Sequence, residues 1–178
     1  LRKLSLKELG RVDPETFRKQ EKAPIVLVLD NIRSGLNVGS AFRTADAFAL
    51  DKIYLCGITA TPPHREILKT AIGATESMDW EAADDILDLV KTLKQDGYTV
   101  FAIEQTDASL PLQNVHPDKG QKLALIFGNE VRGVQEDILP LVDGAIEIPQ
   151  FGTKHSLNIS VCLGIVVWEL FRQMTFTP

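Results

Sequence analysis

The chain has 178 residues, 44% of them apolar and 24% charged, with a net charge of −5. That balance points to one globular domain and excludes a disordered, collagen-like or low-complexity chain, and the negative total argues against a generic basic nucleic-acid binder. Two cysteines, Cys56 and Cys162, are too few for a disulfide framework or a cysteine zinc site; they read as small buried hydrophobes in a cytoplasmic protein.

In chain order, residues 1–22 hold seven basic side chains (Arg2, Lys3, Lys7, Arg11, Arg18, Lys19, Lys22) against four acids, a local +3 that leaves −8 on the remainder. This basic N-terminal segment (residues 1–23) precedes a domain over 24–178. The start carries no long apolar run, so no signal peptide is expected. No run reaches the roughly 20 apolar residues of a membrane span, so no membrane partner is expected. β-Rich runs at 25–29, 52–55, 98–103, 123–127 and 145–148, most of them nearly continuously apolar, read as strands buried on both faces. Helical patterns fall between and after them, at 39–49, 64–71, 82–95 and 156–173. Asp84 and Asp85 open the third, and Gly97 follows it. Residues 79–96 hold six acids against Lys91 and Lys94, a face expected to turn away from any polyanion.

Strands alternating with helices predict an α/β domain with a mostly parallel sheet flanked by helices. Ligands of such sheets sit outside the carboxyl ends of the strands, where segments 30–43, 128–133 and 149–158 fall. From Leu157 to Phe171 only Asn158, Ser160 and Glu169 are polar. A helix apolar nearly all round needs cover on every side, and a second copy of the chain is expected to supply it.

Several familiar chemistries fail on spacing. Residues 128–133 have the GxxxxG spacing of a phosphate loop, but Val134 and Gln135 follow in place of Lys and Ser/Thr. No G-x-G-x-x-G follows the first strand, and His155-Ser156 lacks a G-x-S-x-G elbow. His64, His116 and His155 show no ligand spacing, so no metal is expected. What remains is glycine- and proline-rich backbone beside apolar residues. Gly and Pro let main chain approach a ligand, and Ile148, Phe151 and Leu157 offer a slot for a flat, uncharged heteroaromatic ring. Ser156 reads as the N-cap of the last helix.

At these residues the chain resembles the SpoU/TrmH family of S-adenosylmethionine-dependent RNA ribose 2′-O-methyltransferases, of the SPOUT class. Three motifs stand in family order: 37–43 (NVGSAFR), 125–133 (LIFGNEVRG), and 146–149 (IEIP) followed by 156–160 (SLNIS). The likeness covers about residues 24–173. It implies a SPOUT-type domain with a C-terminal trefoil knot, acting as a homodimer whose sites draw on both subunits. It implies S-adenosyl-L-methionine as cofactor, its adenine near Ile103 and Glu104, with Gly128, Ile148, Ser156 and Leu157 completing the pocket. Asn37, Glu130 and Asn158 match positions that hold the motif loops together and line the site. Arg43 matches the catalytic arginine, read either as the base for the ribose hydroxyl or as a bidentate anchor on the adjacent phosphate.

RNA is then the expected partner, with Arg33, Arg65, Lys69, Arg132, Lys154 and His155 against its phosphates. Only a short basic segment precedes residue 24, which leans towards tRNA. Residues 97–106 and 147–150 look like eukaryotic enzymes that methylate a D-loop guanosine of tRNA. An rRNA or wobble ribose, a small-molecule methyltransferase, and a non-catalytic RNA-binding protein on the same fold are the competing readings.

Overall fold

In a computed structural model of the chain, residues 1–5 and 8–176 are described, and Lys7 of the basic start lies outside them. The elements are α1 (Pro14–Lys19), β1 (Ala23–Asp30), α2 (Gly35–Ala47), β2 (Leu50–Cys56), α3 (Arg65–Ala71), α4 (Ala74–Ser77) and β3 (Trp80–Ala83). They continue with α5 (Ile86–Gln95), β4 (Thr99–Ile103), β5 (Leu110–Pro111), β6 (Leu123–Phe127), β7 (Gly144–Glu147) and α6 (Ile159–Phe176). All seven strands lie in one parallel sheet of order β3-β2-β1-β6-β4-β7-β5. The chain steps outward from β1 to β3, crosses to β4, and returns β6 into the gap between β1 and β4. Such a reversal opens a crevice at the strands' carboxyl ends.

Side-chain alternation divides the core in two. Ile25, Leu27 and Leu29 of β1 face a layer that includes Val38 and Phe42 of α2, Ile67 of α3 and Leu163 and Val166 of α6. Val26 and Val28 face the other way, against Ile86, Val90 and Leu93 of α5 and Ile138. Helices on both faces explain why every residue of β6 is buried and why the runs read as continuously apolar.

Local chemistry sets the ends. Ser34 accepts from the Asn37 amide and starts α2, and Asp85 accepts from the Leu87 amide and starts α5. Gly39 lies where α3 crosses α2. A Cβ there would strike the Ile67 carbonyl and the Thr70 hydroxyl, so the glycine permits the close approach.

Several expectations need correction. With Ser34 as its cap, α2 begins at Gly35 rather than 39. Ala82 and Ala83, expected to start a helix, instead complete β3, an edge strand beside β2, and α5 begins only at Ile86. The two-residue edge strand β5 was not foreseen. Ser156 is not the cap of the last helix. Asn158 Oδ1 accepts from the Ser160 amide at 2.9 Å, so α6 begins at Ile159. On α6, Leu163, Val166, Val167 and Leu170 are buried while Val161, Ile165 and Trp168 are exposed. Its mean hydropathy of 1.4 would suit a membrane span by length and composition, but the buried face packs into the core as a core helix does.

Candidate functional site

Loops from the carboxyl ends of β4, β6 and β7 enclose a cavity of about 660 Å³, a usual size for a small-molecule site. Eight of the ten predicted site residues line it: Ile103, Glu104, Gly128, Glu130, Ile148, Ser156, Leu157 and Asn158. Phe127, Leu139 and Ile146 extend its apolar wall. Phe151, expected in the ring slot, is 99% exposed and lies outside the wall. The loop turns its side chain outward between Gln150 and Ser156, which do line the cavity.

The loop after β6 is built by backbone constraint. A Cβ on Gly128 would strike the backbone of Gly133 and Val134. Asn129 and Gly133 exchange two main-chain hydrogen bonds of 2.9 and 2.8 Å. The Asn129 side chain accepts from the Val131 and Arg132 amides and donates to the Asn31 carbonyl at 2.7 Å. Gly133 has φ +70°, and a Cβ there would meet the Glu104 carboxylate. Glu104 accepts from the Val134 amide at 3.0 Å and the Gln105 amide at 2.9 Å, so both its oxygens hold the cavity wall.

Glu130 leaves this loop to meet the N-terminus of α2. It accepts from the Arg33 amide (2.9 Å), the Ser34 amide (3.1 Å) and Asn37 Nδ2 (3.1 Å). Burial pushes its pKa up, but these donors outweigh burial and hold it below the ordinary carboxylate value. Asn158 Nδ2 donates in turn to Asn37 Oδ1 at 3.3 Å. One hydrogen-bonded chain, Glu130–Asn37–Asn158, therefore ties together three motifs far apart in sequence. Asn37 stands behind the cavity wall and does not line it.

Arg43 is not brought to the cavity within one chain. It lies six residues beyond Asn37, about 9 Å further along α2, exposed and in none of the ion pairs among the described residues. The two helices run side by side in the same direction. Asn37 meets Asn158 at one end, and at the other the Phe48 ring lies 5.8 Å from Trp168 and 5.2 Å from Phe171. Leu36 and Arg43 are exposed on α2, as Val161, Ile165 and Trp168 are on α6.

Charge in the cavity is mostly negative. Glu104, Glu130, Glu136 and Glu147 line it with Arg132, and the Glu136 and Glu147 side chains make no hydrogen bond among the described residues. Cys162 also lines it, but burial, with Glu104 nearby, pushes its thiol up to about 11, so it stays protonated and is a poor nucleophile. Cys56 is buried, which pushes it up to about 12. Outside the cavity, Arg33, Arg65, Lys69, Lys154 and His155 are exposed and join no ion pair among the described residues. The wall thus suits a flat ring with polar edges, gripped by apolar side chains and main chain, beside a cationic centre near Glu136 and Glu147. The Asn129 side chain builds the turn that its motif and the glycines at 128 and 133 signalled, whereas the parts of Asn31 and Gln105 carried no sequence signal.

Residues 24–168 match the model of the SpoU rRNA Methylase family. A Borreliella burgdorferi protein named an uncharacterized tRNA/rRNA methyltransferase is 32% identical over 162 residues, 90% of this chain and 68% of that one. A tRNA (guanosine(18)-2′-O)-methyltransferase of Thermus thermophilus is 28% identical over 159 residues, covering 89% of this chain and 80% of its own. The crystal structure of an AdoMet-bound rRNA methyltransferase from Sinorhizobium meliloti superposes with a TM-score of 0.79 at 25% identity. It covers 89% of this chain, which spans 60% of the Sinorhizobium chain.

Proposed function

The chain belongs to the SpoU rRNA methylase family, whose members are RNA methyltransferases, and on that premise we propose that it transfers a methyl group from S-adenosyl-L-methionine to a ribose 2′-hydroxyl of RNA. The observation that carries this reading is the convergence of the loops after β4, β6 and β7 on one cavity. The cavity residues fit the cofactor. Ile148, Leu157 and Ile103 can sandwich an adenine while main chain around Gly128 and Gly133 meets its polar edge. Glu136 and Glu147 would set negative charge against the cationic part of the cofactor. Bound there, the cofactor supplies an electrophilic methyl group.

The protein's share is alignment of the ribose and disposal of its proton. Arg43 is assigned to the ribose side. A guanidinium with a pKa above about 12 is a poor base but a good bidentate phosphate clamp, so we read it as the anchor, with that phosphate or water taking the proton. Since Arg43 does not reach its own cavity, it acts on the cavity of a second copy. The exposed apolar residues of α6 beside α2 support a homodimer formed through that face. The trefoil knot belongs to the same proposal, with α6 as the threaded element.

Transfer RNA is the first substrate, at a guanosine, supported by the Thermus relative. Ribosomal RNA is the second, supported by the Sinorhizobium neighbour. Unmodified tRNA and rRNA transcripts, incubated with methyl-labelled cofactor and digested to nucleosides for mass spectrometry, separate them. 2′-O-methylguanosine in the tRNA is expected. Label in rRNA alone would select the second substrate, and no label in either would overturn the enzymatic reading.

A further inference from the structure

We propose that Phe151 is a stacking platform for a nucleobase of the RNA at the mouth of the cavity; the inference rests on the RNA reading above and assigns that substrate a contact. Phe151 is 99% exposed. Its neighbours Gln150 and Ser156 line the cavity, so the ring stands at the rim. The segment carrying it is irregular from 148 to 158 and exposed from 151 to 158. Among the described residues, the tie between residues 150–157 and the body is a single side-chain bond, from Gln105 Nε2 to the His155 carbonyl at 3.2 Å.

The surroundings select the occupant. Lys154 and His155 lie within four residues of the ring and are exposed, and Arg132 stands on the opposite loop of the same cavity. Neither Lys154 nor Arg132 is neutralised by an ion pair among the described residues. A flat apolar ring whose own loop and a second loop of the same cavity carry unpaired cations complements a base joined to phosphates. Aromatic stacking is the usual way proteins hold an unpaired base. The apolar surface of a second copy is the poorer occupant, since it would take Lys154 and Arg132 out of water without partners. Stacking at the rim would fix the nucleotide next to the reacting ribose, which makes Phe151 a positioning residue.

The test compares Phe151→Ala and Phe151→Trp with the wild type, using unmodified tRNA and rRNA transcripts. The Ala variant is expected to raise KM for RNA, and its Kd in a gel-shift titration, by about tenfold or more. Its kcat should change less, and its affinity for S-adenosylhomocysteine should stay as in the wild type. The Trp variant should restore RNA affinity and show fluorescence quenched by RNA. Wild-type RNA affinity in the Ala variant would overturn the stacking role. So would dissociation of that variant to monomers in sedimentation, which would seat the ring against a second copy. RNA binding is measured whether or not methyl is transferred, so a loss of the enzymatic reading and a loss of this one give different results.

Discussion

Glu130 receives three donors from the start of α2 although it belongs to the loop after β6. It acts as a helix cap supplied from another part of the chain, with its charge at the positive end of the helix. Glu130→Gln should therefore cost about 1 kcal/mol at pH 7, the size of a weakened cap. The pH dependence has a definite sign. A carboxylate whose pKa is lowered by folding contributes stability above its unfolded value, and that contribution disappears as pH falls through the folded value. Urea titrations of wild type and variant should differ at pH 7, and the difference should shrink as pH falls below the ordinary glutamate value of about 4.3. A gap that stays constant down to pH 3 would show that the charge is not what Glu130 contributes. Glu104 likewise ties loops together, each of its oxygens accepting from an amide of the cavity wall that it lines.

At the scale of elements, the motif glycine at 39 serves the packing of α2 on α3. A methyl there would press on a main-chain carbonyl, which cannot rotate away as a side-chain tip can. Gly39→Ala should cost about 2–3 kcal/mol by overpacking and lower Tm by about 5–10 °C. An unchanged Tm by calorimetry would mean that α3 shifts freely. The same scale shows what the sequence revealed. Strands β1 and β6 were legible because burial on both faces makes them almost continuously apolar, and β2, β4 and β7 through shorter apolar runs. The edge strand β3 was not, because Trp80-Glu81-Ala82-Ala83 is half exposed and leads almost straight into a helix capped by Asp85. The last helix was placed three residues early because hydropathy continues through Leu157, whereas its start is set by the Asn158 cap. Of the cavity, the glycine-bearing loops were visible. The outward turn of Phe151 was not, since an apolar residue between pocket residues reads as pocket.

Across the whole molecule, the cavity is acidic and its surroundings carry exposed cations. The interior suits a cationic cofactor and the rim a polyanion. Affinity for RNA should fall by about tenfold or more between 50 and 200 mM salt, as phosphate contacts release counterions. A salt-independent Kd in filter binding would remove the exposed cations from the interface. The separation of Arg43 from its own cavity gives the proposed dimer a chemical purpose. Trp168→Glu puts charge on the exposed face of α6. It should yield monomers by analytical ultracentrifugation that bind S-adenosylhomocysteine but transfer no methyl. Active monomers would show that one chain suffices.

Titration calorimetry with S-adenosylmethionine, on wild type, Arg43→Ala and Gly133→Ala, tests most directly whether these loops form the cofactor site. One site per chain is expected in the wild type and, unchanged, in Arg43→Ala. In Gly133→Ala, where the new Cβ displaces Glu104 from the Val134 amide, affinity should fall by about tenfold, the effect of one lost charge-assisted hydrogen bond. No binding heat in the wild type at any temperature tried, or equal binding in all three, would contradict the assignment.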